Sequence, residues 1–159
     1  MLICFTLPLF VDMGWSVDSP YFRWVDIPQV KGSDSWQLVR TALAPAPLAP
    51  DCPVYARTVS RLEDPNFYMK GDSVEVDLIA EPPYYLIYYL LKEFPIVFKV
   101  LVNDEVTCLQ AGNPIRLTLA LEQMKCKLGD RIEFQVWNAA GPLIQLKVSG
   151  NIKITSRNQ

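Results

Sequence analysis

The stretch from Ile115 to Trp137 limits what this chain can fold into more than any other part of it. Ile115, Leu117, Leu119 and Leu121 alternate with Arg116, Thr118 and Ala120, and beyond Gly129-Asp130 the beat returns as Ile132, Phe134 and Val136 against Arg131, Glu133 and Gln135. A period of two sends successive side chains to opposite faces, so each segment reads as a strand with one buried face. The same pattern follows Gly71-Asp72, where Val74, Val76 and Leu78 are set against Glu75 and Asp77. Gly and Asp both favour turns, so each pair marks the turn that opens a strand.

Further strands are expected over Trp36 to Leu43 and Val54 to Leu62. Tyr84 to Leu91 is an unbroken aromatic and aliphatic run whose composition and flanking prolines favour a strand. Ile96 to Val102 and Glu105 to Gln110 bracket Asn103-Asp104, a hairpin signal because both residues tolerate positive φ. After a turn at Ala111 to Pro114 and the opening stretch come Leu143 to Val148, a turn at Ser149-Gly150, and a last strand from Asn151 to Thr155. Closely spaced strands with no long amphipathic helix predict an all-β protein. Its expected form is a jelly-roll β-sandwich, or single β-barrel, of about eight strands with an extra N-terminal strand. At 159 residues the chain fits one domain, residues 1–159.

Two apolar segments stand apart from this pattern. Met1 to Val11 is apolar except for Thr6, and Pro8 suits an edge strand or an arm. Leu2, Ile3, Phe5, Leu7 and Leu9 are therefore candidates for an edge strand or for a strand exchanged with a neighbouring subunit. No Lys or Arg precedes Arg23, and Asp12 ends the apolar run well short of the about 20 residues a membrane helix needs. Neither a signal peptide nor a transmembrane helix is expected. The second segment, Ala42 to Pro53, carries Pro45, Pro47, Pro50 and Pro53 and reads as a stiff loop. Pro45, Pro47 and Pro50 are candidate oligomer contacts there.

Asp12 to Ser35 concentrates Trp15, Tyr21, Phe22 and Trp24, with Trp36 just beyond. Packed together, these rings would plug one end of a barrel. Exposed, Trp15, Trp24, Trp36, Tyr84 and Tyr85 would form a glycan-stacking platform. Tyr84, Tyr85, Tyr88 and Tyr89 also suit peripheral contact with a membrane surface.

Fifteen basic and seventeen acidic residues are scattered singly, which gives no electrostatic footprint for nucleic acid. Cys4, Cys52, Cys108 and Cys126 form no C-x-x-C pair; their even number permits disulfides, and buried free thiols are the expected state. The chain has no histidine, hence neither the commonest general base nor the commonest metal ligand. Carboxylate pairs such as Asp72 with Glu75 are the one catalytic chemistry left, and no motif marks them as a site. The expectation is a protein that is not an enzyme, with no metal and no cofactor. Apolar residues make up 50% of the chain and its mean hydropathy is +0.13, which suggests apolar surface reserved for a partner.

Over residues 36–155 the chain resembles the small single-jelly-roll coat proteins of icosahedral viruses, in particular the small major capsid proteins of tailless double-stranded-DNA phages with an internal membrane. Gly71-Asp72-Ser73-Val74-Glu75-Val76, Gly129-Asp130-Arg131-Ile132-Glu133-Phe134 and the apolar strands between them carry the resemblance. Gly-Asp leading into alternation is also similar to tumour-necrosis-factor-like heads, phage receptor-binding heads and carbohydrate-binding modules. The coat-protein resemblance implies a structural virion subunit, assembled in the host cytoplasm with copies of itself or a second coat protein. A glycan-binding module or receptor-binding head is the alternative.

Overall fold

The structure, a computed structural model, describes residues 22–45, 53–63, 71–81, 94–142 and 144–156. The expected arm at residues 1–11, the strand at Tyr84 to Leu91, Cys4 and Cys52 lie outside these residues. Nine strands are described: β1 (Arg23–Asp26), β2 (Ser35–Leu43), β3 (Val54–Arg61), β4 (Ser73–Glu81), β5 (Ile96–Val102), β6 (Glu105–Gly112), β7 (Ile115–Ala120), β8 (Arg131–Asn138) and β9 (Leu146–Thr155). They form a five-stranded sheet, β1-β3-β8-β5-β6, and a four-stranded sheet, β2-β9-β4-β7, in a β-sandwich.

The pairings follow one rule. β5 and β6 form a hairpin, and outward from it β4 pairs with β7, β3 with β8 and β2 with β9, all antiparallel. This is a single long hairpin of eight strands. It is rolled so that β9 also meets β4 and β8 also meets β5. Asn103 and Asp104 close the tip with φ of 51° and 68°, the two positive values a two-residue hairpin turn of primed type needs.

Alternation decides what the sandwich buries. Val74, Val76, Leu78 and Ala80 of β4 point inward, while Glu75, Asp77, Ile79 and Glu81 are exposed. From the other sheet Ile132, Phe134 and Val136 of β8 and Ile96, Phe98 and Val100 of β5 are fully buried. Trp36 meets Phe134 across the sandwich at 5.5 Å between ring centres.

A strand that the sequence does not mark, β1, lies parallel to β3 on the edge of the five-stranded sheet. From there the chain crosses to β2, with Gln37 N–H donating to Pro28 O at 2.9 Å and Gln29 bridging Trp36. A second stitch joins Ala44 to Val54, through N–H···O bonds of 3.1 and 2.7 Å. The expected Pro-rich loop therefore starts later than Ala42: β2 runs to Leu43, Ala44 is bridged, and Pro45 is buried.

Two asparagines hold the irregular backbone. The Asn138 amide donates to Leu43 O at 2.9 Å and Ile144 O at 2.7 Å, and its carbonyl accepts from Ala140 N–H at 2.9 Å. Asn113 exchanges two bonds of 3.0 Å with the N–H and C=O of Ala80, extending the ladder of β4 past the end of β7 with a side chain.

The expected turn at Ser149-Gly150 is absent, and β9 runs unbroken through both residues. The reason is packing. Gly150 sits between Leu38 of β2 and Leu78 of β4, with φ of 144°, and a Cβ there would lie 1.9 Å from Asp77 O. Gly is used because neighbouring backbone fills the space a side chain needs. Gly150→Ala is expected to cost about 3 kcal/mol or more, read as a fall in urea midpoint; an unchanged midpoint would show that β4 can move aside.

Candidate functional site

The inner faces are filled by the core, so among the described residues the two sheets present only their outer faces to another molecule. They differ in chemistry. On the five-stranded sheet, Val97 lies between Ala111 and Trp137 in register, and Tyr55 is paired with Trp24. Tyr55 stacks on Trp137 at 4.0 Å, Phe22 and Trp137 meet Trp24 edge to face at 5.5 Å, and the result is a second, small apolar cluster. Phe22 and Trp24 thus cover a sheet face, not a barrel end as the sequence suggested. Trp24 on β1 and Phe22 just before it are two residues apart, which puts both on the outer side with Tyr55.

The next row runs Leu109, Lys99, Gln135, Arg57, Asp26 and is polar beyond Leu109, which packs against the aromatic cluster. Lys99 and Glu133 are each 4% exposed, and buried charges persist only where partnered. The Lys99 ammonium lies 4.9 Å from the centre of the Trp137 ring. Along β8 the Trp137 indole N–H donates to Gln135 at 2.9 Å, the Gln135 amide to Glu133 at 2.5 Å, and Arg131 to Glu133 at 3.1 Å and to Asp104. Every second residue of one strand is a link, because period two lines them up on one side. The ladder spends its donors and acceptors on one another and serves as a brace.

The outer face of the four-stranded sheet is open and charged. β4 presents Glu75, Asp77 and Glu81, flanked by Lys147 and Lys153 on β9, Arg116 on β7 and Arg40 on β2. Arg116 Nε meets Asp77 at 3.2 Å and Arg40 meets Glu81 at 3.7 Å. Both are exposed pairs of the kind that contributes less than about 1 kcal/mol. Glu75, Asp77, Arg116, Thr118, Asn151 and Lys153 line a shallow concavity of about 540 Å³.

The structure separates the residues singled out for glycan stacking. Trp36 is 3% exposed and belongs to the main core. Trp24 is half-buried, carries the Arg57 guanidinium 5.3 Å above its ring centre, and has a buried indole N–H with no acceptor among the described residues. Neither offers an open ring face. Trp15, Tyr84 and Tyr85 lie outside the described residues. So do Leu2, Ile3, Phe5, Leu7, Leu9, Pro47 and Pro50 among the candidate oligomer contacts, while Pro45 is buried. Alternation with one buried face does not mark the cluster of Tyr55, Lys99, Gln135 and Trp137. Its signal in the sequence is the set of residues that alternate with the core positions of β8, Arg131, Glu133, Gln135 and Trp137.

Cys126 is buried, Cys108 half-buried, and both are free thiols. Among the described residues no three His, Cys, Asp or Glu side chains converge as metal ligands, and no helix is long and apolar enough to cross a membrane. No protein-family model matches the chain, and no curated protein matches its sequence.

Burial pushes the Tyr55 phenol from 10.0 up to about 12. Burial, and then the negative charge of Asp130, pushes the Cys126 thiol from 9.0 up to about 11. Such groups hold their protons more tightly when folded, so the stability they confer is complete below the unfolded value and lost as pH rises through the folded one. For Tyr55 the window runs from pH 10 to about 12 and is worth about 3 kcal/mol at most. Tyr55→Phe keeps the ring stack and removes the titration. Its unfolding free energy is expected to fall less steeply than the parent's across that window; equal slopes in denaturant titrations would refute the assignment.

Proposed function

We propose that this chain is a structural shell subunit, a jelly-roll coat protein that assembles with copies of itself or with a second coat protein. The strand pairing carries the reading. With β1 set aside, the sheets run β2-β9-β4-β7 and β3-β8-β5-β6, the arrangement produced when an eight-stranded hairpin is rolled into two Greek keys. Such a sandwich presents two sheet faces and four corner loops to its neighbours, and closed assemblies follow from repeating the same contact by symmetry. In this reading the apolar segment at residues 1–11 is an additional contact with a neighbouring subunit, and a membrane surface inside the shell is a peripheral partner. Its location is the virion. The buried ring of Trp36 and the guanidinium-capped ring of Trp24 favour this reading over glycan stacking.

Light scattering of the eluted full chain over a concentration series, followed by electron microscopy, tests the assignment. A defined oligomer or particle that grows with concentration, and that is weakened by removing residues 1–11, is the expected result. A strict monomer at every concentration would exclude a self-assembling shell subunit.

A further inference from the structure

Resting on the shell-subunit reading, we infer that the outer face of the four-stranded sheet is an isologous docking surface for a second copy of this chain. The observation is a charge pattern in register. The outward line of β4 is acidic, with Glu75, Asp77 and Glu81, and the outward line of β9 beside it is basic, with Lys153 and Lys147. Glu75 is the register partner of Lys153, and Glu81 that of Lys147. Among the described residues Glu75, Lys147 and Lys153 enter no ion pair.

Consider two copies laid face to face about a two-fold axis parallel to the strands and passing between β4 and β9. The operation exchanges the two lines and preserves height along the strand. Glu75 then stands over Lys153 of the second copy and Glu81 over its Lys147, and symmetry repeats both contacts. A two-fold perpendicular to the strands instead lays β4 over β4, acid upon acid. The pattern therefore selects one orientation and penalises the other, which is what charge complementarity does at interfaces.

A second observation concerns the space between the ionic rows. Ile79 is the register partner of Ser149, and Val39 stands at the same height in the bulge of β2 between Leu38 and Thr41. They are 45% and 70% exposed, large values for such side chains. Two exposed apolar side chains thus sit between the ionic rows, beside the Asp77–Arg116 pair, and add apolar area to a mainly polar contact. Four strands at about 4.8 Å spacing and roughly 30 Å long give about 600 Å² a side. A standard interface buries about 800 Å² per partner. The contact is consequently weak and salt-sensitive, suited to a surface that is repeated many times in an assembly.

Sedimentation velocity of the full chain over a concentration series in about 50 mM and about 500 mM NaCl tests this, since added salt screens exposed charges. The dimer constant is expected to weaken about tenfold or more in high salt, and similarly with Lys153→Glu or Glu75→Lys alone. The double exchange, Glu75→Lys with Lys153→Glu, restores complementarity and is expected to restore association. Thermal melts of all variants confirm that the exposed substitutions leave the fold intact. Association unchanged by either single reversal would overturn this surface and leave the shell reading standing through other contacts. A strict monomer under all conditions would overturn this surface together with the self-assembling form of the shell reading. A monomer whose Asn151 and Lys153 amide resonances move with added maltohexaose would give the concavity to a sugar and likewise overturn the proposal.

Discussion

The contact between Trp36 and Phe134 is the one on which the sandwich depends. It joins β2 of one sheet to β8 of the other, and Phe134 also stacks on Phe98 of β5, 6.0 Å away. Three rings from three strands thereby set the spacing between the layers. The aliphatic positions of β4, β8 and β9 fill the remainder, with most of them fully buried. Apolar burial of this kind is non-directional, so it explains why two sheets meet and leaves open how their strands are ordered. Directional groups supply what burial does not.

Those directional groups sit where the ladder stops. Asn138 serves the end of β2, the end of β8 and the approach to β9 with one amide, and Asn113 completes the pairing of Ala80 just before β7 begins. A buried carbonyl left unpaired costs about 1–3 kcal/mol. Gly150 plays the opposite part, since omitting a side chain there allows β9 to lie against β4 without interruption. Backbone accounting is thus met by side chains at two corners and by the lack of one in the middle of a sheet.

The two outer faces divide the remaining work. On the five-stranded sheet the face is itself a small core, with aromatic rings above a row of partnered charges, so β5 and β8 are buried on both sides. On the four-stranded sheet the charges are exposed, and the acidic line of β4 lies between the basic side chains of β9 and β7. A sandwich with one closed and one open face is asymmetric, and the proposed association with copies of itself uses the open one.

Period-two alternation in the sequence determined that this is an all-β protein, located β2 through β8 to within a few residues, and identified Asn103-Asp104 as a hairpin tip. These are local properties, set by side-chain direction along a strand and by the φ each turn residue tolerates. Only the tertiary structure decided the rest. Ser149-Gly150 has the composition of a turn, yet the approach of Asp77 from a strand some seventy residues away makes it the middle of a sheet. Trp24 and Trp36 look alike in sequence, and an alternating register sends one to the outer face and the other to the core. The opposition of Glu75 to Lys153 could not be read from the chain either, because strand partners are chosen by loop closure and packing between distant segments. Sequence carries which way each side chain points along its own strand; what it points at is fixed by the neighbour that the whole fold brings beside it.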